Sequence, residues 1–292
     1  MDCISENESK PRQQDQKQPE KKQAWQTEMY NPQNVSIIYN EKTNIMTFEI
    51  KKDENKVVKI VINGKKGTIS DENNNTTYKE ITYESLLDIA QKNNLSDAER
   101  LKLAQGVGYT NRILDAGSKV LPGSTEKSTF CNMFAAYVTY LYTGSTALMG
   151  TYRGGELVAF DKTPAEVGYF RDPKTAYLWG YMSVSSSNPM NQMKYFQDNH
   201  YQTLTVADGL KIQELANRGI LVYAVTPDHI ALVSPGEGVY SEKKKLYRPA
   251  VAQQGRSRLL TDVTFKDGLA VHMGYAWRSS TYERVIFYYK LE

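Results

Sequence analysis

The stretch KSTFCNMFAAYVTYLY, residues 127–142, opens polar and closes apolar, and its reading decides the fold. Phe134, Val138 and Leu141 recur at helical spacing, while Ala135 and Ala136 leave a thin flank that can lie close on a sheet. The spacing predicts a helix over 129–142, capped by Ser128 or Thr129, with Cys131 in its first turn. Cys131 is one of two cysteines in 292 residues. At a helix start, unpaired N–H groups and the macrodipole favour an anion, so a thiol there is acidified and its thiolate becomes the nucleophile. The Cys131 N–H is then also free to donate to a developing oxyanion. A buried small hydrophobe is the competing role for a lone cysteine in an apolar helix, and both stand at this point.

Upstream of that helix, YESLLDIAQKN (83–93) carries Leu86, Leu87, Ile89 and Ala90 on one face. Ser96 and Glu99 form a capping box opening a second helix, which Gly106 and Gly108 are expected to end. Further upstream, residues 35–69 alternate apolar and polar positions around turns at 40–42 and at Asn63-Gly64, predicting an antiparallel meander of about four strands. DENNNTTYKE (71–80) reads as a polar loop. Residues 1–30, rich in Gln, Lys, Glu and Pro, read as a disordered tail or tether.

Downstream, YRGGELVAF (152–160) and TPAEVGYFRD (163–172) read as loop and a short helix. VADGLKIQELANRG (206–219) is an amphipathic helix stopped by Gly219. Strand character follows at 220–225, 229–235, 249–255, 268–277 and 283–291. Helices followed by strands predict an α+β fold, divided as tail (1–30), small β meander (31–75) and main domain (76–292).

A net charge of +3 gives no bulk electrostatic reason to bind nucleic acid, and no apolar run approaches the ~20 residues of a membrane span. Two cysteines make neither a metal site nor a disulfide framework, and no metal or cofactor is expected. Cys3, followed by a polar tether, suits a lipid-anchored residue, although Met1-Asp2 is not a lipidation signal; an incidental cysteine in the tail is the other reading. Residues 1–23 contain no apolar segment of the secretory-signal kind, which leaves open one removed by processing.

A thiol nucleophile needs a general base near neutral pH. Of the three histidines, His200 lies in a polar stretch expected to be a solvated loop, and His272 falls in a strand with no evident partner. His229 opens an apolar strand after Pro227-Asp228, on a rim where an imidazole reaches a helix end. By itself it reads as a strand-edge histidine; paired with Cys131 it reads as a base. Gln253 and Gln254 on the next strand, of which alternation lets only one serve, offer an amide oxygen to orient the imidazole, and Asp228 is another candidate.

This order of residues resembles the papain-like cell-wall peptidases and amidases of the NlpC and CHAP groups, and more closely a bacterial amidase branch with a Cys-Asn-x-Phe motif, met in cell-wall hydrolases and toxin effectors. The segments are CNMF (131–134), TPAEV (163–167), ELANRGILVYAV (214–225), DHIALVSPGEG (228–238) and PAVAQQGR (249–256), within residues about 100–292. The resemblance implies a papain-like core, its catalytic helix packed on an antiparallel sheet. It makes Cys131 the nucleophile, His229 the base and Gln253 the orienting residue, with Asn132, Asp228 and Gln254 in supporting or substrate-binding roles. Asp228 stands where the family strand often has Gly, and Gln254 replaces a small residue. The extra carboxylate would raise the histidine pKa and narrow substrate approach.

The expected activity is hydrolysis of a muramoyl–alanine or stem-peptide amide of peptidoglycan, in the cell envelope or secreted. Trp179, Tyr181 and Trp277 are candidate stacking residues for the sugar or peptide, with core packing as the competing and more common duty. The rivals are an envelope or surface binding protein of the same fold, weak or inactive in catalysis, with the meander engaging a protein partner, and an acyltransferase using the same dyad.

Overall fold

The structure is a computed structural model that describes residues 30–40, 42–110, 131–148, 150–153, 156–159, 191–226, 229–253, 271–272 and 284–291. It is a mixed α+β fold in which every strand pairing among the described residues is antiparallel. Tyr30, the last residue assigned to the tail, is buried.

The N-terminal meander has five strands rather than four: β1 (Val35–Asn40), β2 (Ile45–Lys51), β3 (Val57–Asn63), β4 (Thr68–Asp71) and β5 (Thr76–Tyr78), in that spatial order. The fifth lies inside the stretch expected to be loop. Asp71 accepts the backbone N–H groups of Asn73 and Asn74, closing a tight turn that returns the chain for three pairings with β4. One face of this sheet, with Met46, Phe48, Ile50, Val58, Ile60, Ile62 and Ile69, is buried.

Two helices follow, α1 (Tyr83–Lys92) and α2 (Asp97–Thr110). On α1, Leu86, Ile89 and Ala90 are buried but Leu87 is only half-buried. The capping box at α2 is formed: Ser96 N–H donates to Glu99 Oε2 at 2.8 Å, and Glu99 N–H to Ser96 Oγ at 3.2 Å. The same Glu99 oxygen takes Lys52 Nζ at 2.5 Å, tying α2 to the end of β2.

Gly106 and Gly108 do not end α2; they lie inside it. A Cβ at 106 would come within 2.5 Å of the Phe48 ring, and one at 108 within 2.7 Å of Val138. Alternate sides of one helix are pressed against the meander and against α3 (Cys131–Thr143), and close approach, not helix termination, explains both glycines. α2 is buried on nearly every side, so it has no polar face for periodicity to reveal.

Past α3, in the stretch expected to be loop, β6 (Gly150–Arg153) pairs antiparallel with β7 (Glu156–Ala159). Then come α4 (Asn191–Asp198), β8 (Gln202–Leu204) and α5 (Gly209–Asn217), the last ending at Gly219 with φ +80°. β9 (Val222–Thr226), β10 (His229–Val233), β13 (Ala250–Ala252), β14 (Val271–His272) and β15 (Ile286–Tyr289) join β8 in a six-stranded sheet of order β14-β13-β10-β9-β15-β8. A separate hairpin, β11 (Val239–Ser241) with β12 (Leu246–Arg248), interrupts the run between β10 and β13.

The second sheet is buried on both faces. Ile230, Leu232, Ala252, Tyr223, Val225 and Tyr288 share one core with α1, α2, α3, Phe196 of α4 and the meander. Ala231, Val233, Val251, Val222, Ala224 and Phe287 form the other with Ile212, Leu215 and Ala216 of α5. The layers run meander, helices, six-stranded sheet, α5.

Candidate functional site

The site begins with the direction of α3. Thr139 Oγ1 and Tyr223 Oη of β9 share a hydrogen bond of 2.8 Å, and Tyr142 Oη donates to the Gly219 carbonyl at 2.6 Å. The C-terminal half of α3 therefore lies over the start of β9, and the helix runs antiparallel to that strand. From Thr139 back to Cys131 is about 12 Å of helix; from Tyr223 to Thr226 is about 10 Å of strand. The backbone of Cys131 thus comes level with Thr226, whose register partner is His229.

β13 brings the third position. Leu232 faces Ala252 and Val233 faces Val251, so Gln253 continues toward the end of β10 that His229 opens. Gln253 is buried, at 5% exposure. The first residues of α3 and β10 and the last described residue after β13 all lie toward one end of the sheet. Asn132 follows Cys131 in the same helical turn. Asp228, Gln254, Cys3, Ser128, Thr129, residues 163–167, Trp179, Tyr181 and Trp277 lie outside the described residues.

The other histidines are elsewhere. His200 is exposed, with φ +57°, and His272 pairs with Ala250 on β14, beyond β13.

On the helix side of the sheet lies a tyrosine cluster. Phe196 stacks at 5.1 Å on Tyr288 and lies 4.6 Å from Tyr223 and 4.9 Å from Tyr201. Burial pushes the Tyr223 hydroxyl well above the ordinary phenol value, and Tyr201 beside it adds to the effect. Burial likewise raises Tyr201, helped by Tyr195. These groups stay neutral through the physiological range, so they can hydrogen-bond but not act as bases.

α2 reaches the same end. Arg100 Nη1 donates to the Tyr142 carbonyl at 2.6 Å, with its guanidinium 4.1 Å from that ring, while Gly108 meets Phe134 and Val138. α2 and α3 are therefore antiparallel, and the last residue of α2, Thr110, lies beside the first turn of α3. The Thr110 carbonyl accepts Asn44 Nδ2 at 2.7 Å from the turn between β1 and β2. Asn44 carries no local sequence signal for this contact, and Gly108 reads in the sequence as a helix stop rather than a close contact. Two glycines two positions apart in a run of otherwise good helix formers were the available signal, and they indicate a closely packed helix as readily as a stop.

Among the described residues no group of three or more His, Cys, Asp or Glu side chains is gathered to hold a metal ion, and no helix is long and apolar enough to cross a membrane. The chain matches no protein-family model, no curated protein and no solved structure.

Proposed function

We propose that the protein is a papain-like cysteine amidase or peptidase hydrolysing an amide bond of peptidoglycan in the cell envelope or outside the cell. The observation carrying this reading is that the hydrogen bonds of Thr139 and Tyr142 orient α3 so that its first residue and the first residue of β10 lie at one sheet end. Sequence motifs, not structural likeness, supply the choice of peptidoglycan: CNMF, DHIALVSPGEG and PAVAQQGR resemble the cell-wall amidase branch.

In this mechanism His229 takes the Cys131 proton, and the thiolate sulfur bonds to the amide carbonyl carbon. The carbonyl electron pair moves to oxygen, where the Cys131 N–H and a neighbouring donor receive it. His229 returns its proton to the amide nitrogen as the C–N bond breaks, releasing the amine and leaving a thioester. Water, deprotonated by His229, then displaces the thiolate and frees the acid. Gln253 accepts the imidazole N–H and holds the ring. Asn132 binds the helix start or a substrate carbonyl, and Asp228 raises the histidine pKa.

One observation favours the second reading, a binding protein on the same fold. Positions 230 and 232 of β10 serve the α3 core, whereas 231 and 233 serve the α5 core. Proton transfer from Cys131 to His229 therefore requires regular alternation to break at the first residue of β10.

Incubation with purified sacculi, with soluble products identified by mass, tests the proposal. New muropeptide fragments, absent when Cys131→Ala is used, are expected. Identical digests from the two proteins contradict hydrolysis, and an acyl group found on an acceptor other than water would assign the same dyad to transfer.

A further inference from the structure

We propose that the N-terminal sheet positions the first turn of α3 through α2, with Asn44 and Gly108 as the positioning residues. The proposal deepens the amidase reading, on which its consequence for catalysis rests.

α2 has no room to move. A methyl group at 108 would lie 2.7 Å from Val138 Cγ2 and 3.0 Å from the Phe134 ring, both on α3 and within two turns of Cys131. Val138 is fully buried and β-branched, so in a helix it has essentially one χ1 rotamer and cannot swing aside. The contact must be relieved by displacement of a helix. On the opposite side, a methyl group at 106 would lie 2.5 Å from Phe48 and 3.1 Å from Met46 of β2, so the meander blocks retreat.

The end of α2 is also pinned. Asn44 holds a left-handed backbone, φ +55°, and its Oδ1 accepts the Tyr39 hydroxyl at 3.0 Å. Its Nδ2 thereby faces Thr110 O, one of the terminal helix carbonyls that have no partner within the helix. Gly64 lies against this bond so tightly that a Cβ there would be 2.4 Å from the same carbonyl. The meander thus holds the end of α2 lying beside the first turn of α3, and residues 111–130 connect the two.

The test measures iodoacetamide alkylation of Cys131 relative to Cys3 in the same full-length chain, by peptide mass, together with Tm. Asn44→Gly keeps the left-handed backbone and removes the amide; Gly108→Ala adds the methyl group. Ser96→Ala, which opens the capping box at the far end of α2, is the stability control. The two positioning variants are expected to change the Cys131-to-Cys3 ratio about tenfold, while Ser96→Ala lowers Tm and leaves the ratio unchanged. Folded Asn44→Gly and Gly108→Ala proteins with the wild-type ratio would overturn the proposal, as would an equal change in Ser96→Ala. Should Gly108→Ala not fold, Asn44→Gly decides. Wild-type Cys131 labelling as slowly as Cys3 would count against the amidase reading, whereas the ratio between variants still decides positioning.

Discussion

Tyr223 is wholly buried, its hydroxyl against Thr139 and its ring in an aromatic cluster, so ionising it would place a charge in a low-dielectric interior. Tyr195 and Tyr201 are raised for the same first cause, burial. A tyrosine whose folded value lies above its unfolded value of about 10 keeps its proton in the native state while the unfolded chain loses it. Its contribution is fully present below that pH and is lost as pH rises through the folded value. Thermal melts should therefore show Tm insensitive to these groups near neutrality and falling above about pH 10, with their tyrosinate absorbance appearing only on unfolding. Ionisation of all the tyrosines in the still-folded protein at about pH 10 would contradict the buried cluster. Single residues were unevenly legible in the sequence. Ser96 and Glu99 declare themselves because a capping box is local chemistry, and Gly219 because a helix stop is. Gly106 and Gly108 do not, since the Phe48 and Val138 side chains that require them are about 60 and 30 positions away.

Among elements, α3 holds Cys131 at its start, and Thr139 links the helix to the sheet. Thr139→Val keeps the shape, removes the hydroxyl and leaves the buried Tyr223 hydroxyl without that partner. Denaturant titration should show a loss of about 1–3 kcal/mol; a change near zero would mean the bond does not hold the helix. The strands at 222–226, 229–233 and 286–289 could be read from their apolar runs because both faces of the sheet are covered. β5, β6 and β7 could not. Each is three or four residues long, so alternation is too brief to show, and pairing with a neighbour defines it. α2 was found by its cap and misjudged at its end, because a helix buried on nearly every side shows no amphipathic stripe.

At the scale of the molecule, the meander shares one continuous core with the helices and the six-stranded sheet. Deleting residues 31–75 would expose the face of α2 that Phe48 and Met46 cover. The remaining chain is expected to lose its cooperative transition by circular dichroism, whereas the full chain should unfold in one. A truncated protein melting like the parent would show the meander to be an independent module. The α+β class could be read from the order of elements, but this shared core could not, since it depends on contacts between distant segments. The candidate residues can be named from residue types in the sequence, but where their backbones fall along the sheet depends on the hydrogen bonds of Thr139 and Tyr142. The most direct test of the central claim is the pH dependence of Cys131 alkylation in the wild type and in His229→Ala. Rapid labelling at about pH 6 is expected, slowed in the variant to the rate of an ordinary thiol of pKa about 8.5. Slow labelling of the wild type, with a profile identical to that of His229→Ala, would contradict it.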